Sequence, residues 1–283
     1  MNEITRVGIL GSGIMGSGLA EVAAKAGYQV VVRSRSQAAA DDMVRSIDKG
    51  FVKGIERGKT TEDERTAVMA RISATDDLRA LADCDLVIES VVEDLAIKKA
   101  LFAELDAIVK PTAILATNTS TLPVVEMAMA TTRPAQVCGI HFFNPATAMK
   151  LVEIVRPLTA SDDTIAAATA FAVACGKDAV DVLDRAGFIV NALLFPYLNN
   201  AVRMLEMGTA SMESIDTAMK GGCNFPMGPF ALLDLVGLDT SLAILDALYA
   251  EFRDPNYAAM PTLRRMVAAG RLGRKTKAGF YTY

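Results

Sequence analysis

The stretch Val7-Gly8-Ile9-Leu10-Gly11-Ser12-Gly13-Ile14-Met15-Gly16 decides how this 283-residue chain is read. Its opening residues form a short, non-alternating apolar run, the pattern of a strand buried on both faces. Its last six are G-x-G-x-x-G; a helical pattern then runs to Gly27, and a second apolar run, Gln29 to Arg33, follows. Three glycines at fixed offsets are weak evidence alone, but here the whole strand, turn, helix and strand unit is in place. Each glycine has its own task. Gly11 allows the tight turn, Gly13 lets the backbone approach a pyrophosphate, and Gly16 permits close packing of helix on strand. The free N–H groups at the helix start, along Gly11, Ser12, Gly13, Ile14, Met15 and Gly16, then face the anion. The stretch predicts a dinucleotide site.

Working outward, further short runs rich in Val, Ile and Leu occur at Leu86 to Glu89, Ala113 to Thr117, Val137 to His141, Leu151 to Arg156 and Asp178 to Val182. Helical patterns separate most of them, as crossover helices separate parallel strands. After Arg185-Ala186-Gly187 the strand signals stop and nearly everything is helical. The expected fold is α/β: a Rossmann-type, doubly wound, mostly parallel sheet over residues 1–187, followed by an all-α domain over 188–283. The helical part is unusually apolar for its size, which predicts a homodimer through it.

Composition excludes several functions. With 29 Lys and Arg against 33 Asp and Glu the net charge is −4, unlike the basic excess of a nucleic-acid binder. A single histidine, His141, excludes a zinc site of several histidines, and no metal is expected. The cysteines Cys84, Cys138, Cys175 and Cys223 form no C-x-x-C pair and read as small buried hydrophobes in a reducing compartment. Met1 to Leu10 lacks the pattern of a secretory leader, and Phe188 to Leu205 holds too many polar groups for a bilayer span. A cytoplasmic protein is expected.

The end of the second strand chooses between dinucleotides. An NAD-specific site places Asp or Glu there for the ribose 2′-hydroxyl. This chain reads Arg33-Ser34-Arg35 with no acid. Guanidiniums and a hydroxyl suit a 2′-phosphate, so NADP(H) is expected over NAD(H). A solvated loop is the alternative.

An oxidoreductase that moves hydride from a carbinol carbon needs a proton acceptor, and an imidazole titrating near neutrality serves in both directions. His141 ends a strand at its carboxyl side, the edge where open α/β sheets bind ligands. Glu153 interrupts the apolar run Leu151 to Arg156, where a charge is costly unless paired. Pairing with His141 is the economical solution; a core histidine satisfied by a backbone carbonyl is the alternative.

Taken together, Gly11 to Gly16, Thr117-Asn118-Thr119-Ser120, His141-Phe142-Phe143-Asn144-Pro145, Glu153, Phe188-Ile189-Val190-Asn191 and the ending Gly273 to Tyr281 resemble the 3-hydroxyacyl-CoA dehydrogenase family, most closely its compact bacterial members. The resemblance implies a short-chain (S)-3-hydroxyacyl-CoA substrate and a place in fatty acid metabolism. It implies that His141 is the general base with Glu153 its partner, and that Ser120 and Asn191 bind the reacting oxygen. It further implies that Asn118, Glu93 and Lys98 border the cofactor and that Asn144 lines the substrate site. Blander roles remain for several: Ser120 can cap the helix near Pro123, Asn191 can bond within a helix pair, and Glu93 and Lys98 can be a solvated helix start. At Ser34 the chain departs from the acid that many members carry. Rival functions are a related dehydrogenase of a non-CoA hydroxy acid and a non-catalytic dinucleotide binder.

Arg45, Lys49, Lys53 and Arg57 recur every four residues on one helix face. Like charges so spaced destabilise a helix slightly, and a polyanion such as CoA would offset that, with Lys53 the first candidate. Asp41, Asp48 and Glu56 can neutralise the row instead.

Overall fold

The structure, a computed structural model, describes residues 3–283; Met1 and Asn2, the head of the stretch read for a leader, lie outside the described residues. One compact unit extends to Asp184 and a second runs from Arg185 to Tyr283.

The first unit holds strands β1 (Arg6–Leu10), β2 (Gln29–Arg33), β3 (Ile72–Thr75), β4 (Leu86–Glu89), β5 (Ile114–Thr117), β6 (Val137–Phe142), β7 (Leu151–Arg156) and β8 (Asp178–Leu183). They form one sheet in the order β3-β2-β1-β4-β5-β6-β7-β8. Neighbours are parallel except β6 with β7. The chain winds outward from β1 through β2 to β3, returns to β4 and winds the other way, so the switch point lies between β1 and β4. This is the Rossmann-type sheet expected. β4 and β5 are buried along their whole length, which is why they read as continuous apolar runs.

Helices α1 (Ile14–Lys25), α2 (Gln37–Glu56), α3 (Glu62–Met69), α4 (Leu95–Ile108), α5 (Val124–Ala128) and α6 (Asp162–Ala174) connect the strands. Most start on a side chain that accepts a free N–H: Ser36 for α2, Thr61 for α3, Asp94 for α4 and Ser161 for α6. The sequence reading missed α3 and β3. β3, Ile-Ser-Ala-Thr, is an edge strand with half-buried and exposed positions, too short and mixed to show a period. Cys84 and Cys138 are buried, and burial pushes their thiols up to about 11 and about 12. Cys223 departs from the expectation: it ends its helix in solvent.

The second unit comprises α7 (Val190–Glu206), α8 (Met212–Cys223), α9 (Pro229–Val236), α10 (Leu238–Phe252) and α11 (Pro261–Ala268). Phe195, Leu198, Val202, Phe230, Leu245 and Leu263 fill its core. Two buried carboxylates tie it together. Asp216 accepts from Phe230 and Ala231 N–H at 2.8 and 3.1 Å, capping α9. Asp234 accepts from Phe280 and Tyr281 N–H at 2.9 and 2.8 Å, fastening the terminal Gly273 to Tyr281 segment. The nearby arginines and lysines serve local contacts, such as Lys275 with Asp239 and Arg271 with the Gly279 carbonyl.

Asp85 shows how the sheet's amino edge is pinned. It accepts from Thr5 N–H and Arg6 N–H, each at 2.8 Å, and pairs with the Lys110 ammonium. Burial works to raise its pKa, but these donors outweigh it and hold the carboxyl at about 2. A depressed carboxylate contributes stability above its unfolded pKa and loses it as pH falls through the folded one. Asp85→Asn should therefore cost about 2 kcal/mol at pH 7 and much less at pH 2. Urea unfolding at both pH values checks this; an equal cost at the two would assign the effect elsewhere.

Candidate active site

The glycine turn after β1 separates protein-imposed from ligand-imposed glycines. Gly11 sits at φ +109°, and a Cβ there would meet the Ser90 carbonyl oxygen at 2.2 Å. A Cβ at Gly16 would meet the Gly11 oxygen at 1.9 Å. The fold itself requires both glycines. A Cβ at Gly13 meets nothing within 4 Å. Gly13 caps α1 without any side-chain bond, and Ile14 behind it is 76% exposed. An open cradle above uncapped helix N–H groups fits a pyrophosphate.

At the end of β2, the Ser34 hydroxyl donates to the Ser12 hydroxyl at 2.9 Å and is buried. Arg33 is half-buried, with Nε on the Asp76 carbonyl at 3.2 Å, and Arg35 is exposed. The glycine turn and the strand end thus meet through two serines where a ribose-binding acid is absent.

β6 carries His141 near its carboxyl end, and β7 runs back beside it. Their register sets His141 directly opposite Glu153, so both side chains share a sheet face. His141 Nδ1 lies 2.8 Å from Glu153 Oε2. Glu153 is fully buried and His141 nearly so. A carboxylate only accepts, so a neutral imidazole paired in this way carries its proton on Nδ1 and presents Nε2 as an acceptor. Ser120, just past β5, puts its hydroxyl 3.2 Å from Nε2. Phe143 lies against the imidazole at 4.5 Å between ring centroids. The result is a hydrogen-bonded Ser120–His141–Glu153 line.

Asn118 ties this line to the glycine turn. Its Oδ1 accepts from Phe142 N–H at 2.8 Å, and its Nδ2 reaches the hydroxyl of Ser90 at 3.4 Å. Glu93 accepts from Thr119 hydroxyl and Ser120 N–H at 2.5 and 2.9 Å. Lys98 is not a solvated helix start: it is 1% exposed, with its ammonium held by Glu89 at 2.7 and 2.9 Å and by Glu93 at 3.2 Å. The sequence reading missed Glu89. Its signal was an acid closing the apolar run Leu86 to Glu89, the same signal that marked Glu153.

Asn144 is exposed in the loop after His141. Asn191 belongs to the helical unit, buried in the first turn of α7. Lys53 is exposed on α2. Of the three acids expected to neutralise its row, two are engaged elsewhere: Asp48 binds Arg65 at 2.6 Å and Asp41 accepts from Gln37 at 2.7 Å. Among the described residues Arg45 alone of that row has an ion pair, with Asp42 at 2.5 Å.

Fold and site together define a dinucleotide-dependent dehydrogenase. Residues 6–185 match the 3-hydroxyacyl-CoA dehydrogenase NAD binding domain, and residues 187–283 match the 3-hydroxyacyl-CoA dehydrogenase C-terminal domain. A 3-hydroxybutyryl-CoA dehydrogenase of Mycobacterium tuberculosis is 48% identical over 284 residues, covering 100% of this chain and 99% of the relative. One of Clostridioides difficile is 45% identical, covering 98% of this chain and 99% of its own. The crystal structure of an (S)-3-hydroxybutyryl-CoA dehydrogenase from Ralstonia eutropha superposes with a TM-score of 0.97 at 42% identity, covering 99% of each chain. The chain belongs to the 3-hydroxyacyl-CoA dehydrogenase family, and its cofactor is a nicotinamide dinucleotide.

The glycines give a direct test. Gly13→Ala should change stability by no more than about 1 kcal/mol while weakening dinucleotide binding about tenfold or more. Gly16→Ala should cost about 3 kcal/mol through overpacking. Thermal melts and dinucleotide titration of both variants separate the two effects.

Proposed function

We propose that this protein interconverts a short-chain (S)-3-hydroxyacyl-CoA, such as 3-hydroxybutyryl-CoA, and the 3-ketoacyl-CoA by hydride transfer, with NADP(H) preferred over NAD(H). The observation that carries the chemistry is the Ser120–His141–Glu153 line at the carboxyl edge of the sheet. The family match and relatives named for 3-hydroxybutyryl-CoA support the substrate class.

In the oxidative direction His141 Nε2 takes the proton from the substrate hydroxyl, and the buried Glu153 carboxylate stabilises the imidazolium that forms. In reduction the imidazolium returns that proton to the alkoxide. The Ser120 hydroxyl, already aimed at Nε2, can turn to the reacting oxygen and polarise it. Asn191 is retained as a second oxygen ligand on the family resemblance alone. Gly11, Gly13 and Gly16 with the α1 N-terminus hold the pyrophosphate, and Arg33, Ser34 and Arg35 hold the far ribose. The bound dinucleotide supplies the hydride acceptor or donor. Glu93 and Asn118 shape the cofactor edge, and Asn144 the substrate edge. The unneutralised Lys49, Lys53 and Arg57 are the candidate contacts for CoA phosphates.

The NADP(H) preference rests on the Arg33-Ser34-Arg35 end of β2, which carries no acid of its own and where exposed Arg35 offers a guanidinium; the neighbouring Asp76 carboxylate accepts from Gln37 N–H at 3.2 Å. The homodimer rests on α7. Leu193, Met204 and Met207 are 72%, 43% and 74% exposed on one side of that helix and its C-terminal cap, apolar surface suited to a second copy.

One assay series tests these points. Acetoacetyl-CoA should be reduced with kcat/KM about tenfold higher for NADPH than for NADH, the worth of one charge-assisted contact; a preference for NADH refutes the cofactor assignment. Ser120→Ala and Asn191→Ala should each lower kcat about 100-fold, and His141→Gln should lower it further. Activity within about threefold of wild type in His141→Gln would overturn the mechanism. Lys53→Ala should raise KM for the thioester about threefold at constant kcat. Sedimentation at micromolar protein should show a dimer.

A further inference from the structure

We propose that Glu89 is a positioning residue for the reaction, setting the turn that presents Ser120 to His141; this rests on the function proposed above. Glu89 closes β4, in register with Leu10 on one side and Thr117 on the other, and is 0% exposed. Two routes lead from its carboxylate to the same turn. In the first, Glu89 holds the Lys98 ammonium at 2.7 and 2.9 Å, and Lys98 reaches Glu93 at 3.2 Å. Glu93 then accepts from the Thr119 hydroxyl and from Ser120 N–H. In the second, the Thr117 hydroxyl donates to Glu89 Oε2 at 2.8 Å and accepts from Thr119 N–H at 3.2 Å. The first route holds residues 119 and 120 and the second holds residue 119, and the Ser120 hydroxyl at the end of this turn stands 3.2 Å from His141 Nε2.

Stability does not account for this arrangement. Desolvating a carboxylate and an ammonium offsets most of their attraction, and an apolar pair of similar volume serves a sheet's core as well or better. What the charged pair adds is geometry. Lys98 is anchored on α4 and Glu89 on β4, and neither can move without exposing a charge to apolar surroundings. Glu93, whose side chain is 40% exposed, is thereby held under Ser120 instead of swinging into water. A serine displaced by a fraction of an ångström from both base and substrate oxygen loses much of its value.

The test is a double-mutant cycle with acetoacetyl-CoA. Glu89→Gln should lower kcat about tenfold and change the thioester KM by less than about twofold. In a Ser120→Ala background the same substitution should cost no more than about a further twofold, because its route to the chemistry is already gone. A tenfold loss in both backgrounds, or a rise in KM with kcat intact, overturns the inference. Ser120→Ala with wild-type kcat overturns the proposed function and this inference with it, whereas additive losses overturn the inference alone. Should Glu89→Gln fail to fold, Thr117→Val cuts the second route without altering any charge. It should lower kcat about threefold in the wild-type background and leave it unchanged with Ser120→Ala; equal losses in the two backgrounds overturn the inference.

Discussion

The cross-strand pair of His141 with Glu153 organises the polar carboxyl edge of this sheet, and it exists because β7 reverses direction. In a parallel sheet the carboxyl ends of successive strands lie on one edge, and residues near a strand's start lie on the other. By running antiparallel to β6, β7 brings Glu153, third residue of its strand, to the edge where His141 lies next to the end of its own. A buried carboxylate there needs a donor, and the imidazole N–H supplies it. That contact helps to orient the ring, and Nε2 faces Ser120.

The rest of the carboxyl edge follows the same logic. Where β1, β4 and β5 end, ladder hydrogen bonds give way to polar side chains that bind one another: Ser12 with Ser34, Asn118 with Ser90 and Phe142 N–H, Glu89 with Lys98 and Thr117. Gly11 packs its backbone onto the Ser90 carbonyl, which closes the switch point between β1 and β4. The edge is therefore a connected polar surface, built at the ends of buried strands and held by groups that bind one another. Donors and acceptors so placed need little reorganisation when a substrate oxygen changes charge.

Much of this was legible in the residues. G-x-G-x-x-G between an apolar run and a helical one marked the tight turn after β1, because only glycine satisfies the close approaches at Gly11 and Gly16, and Glu153 marked itself as a charge in an apolar run. Glu89 carried the same mark and was passed over, because a strand's last residue reads equally well as the first of a solvated loop. β3 was missed because an edge strand has one side in water and no period over so few residues. The role of the Lys53 row was open in the sequence because Asp48 could serve it or another partner; Arg65, from a helix without a clear pattern, takes Asp48 instead.

The sequence by itself determined the sheet, the glycine turn, the two-part organisation and the identity of the only imidazole available as a base. These depend on local chemistry and period, which a linear string records. Only the tertiary structure decided that β7 runs antiparallel, that His141 faces Glu153 with Ser120 at its other nitrogen, and that Lys98 is buried between Glu89 and Glu93. Those facts depend on register and on which charges meet once water is excluded. No spacing along the chain encodes either.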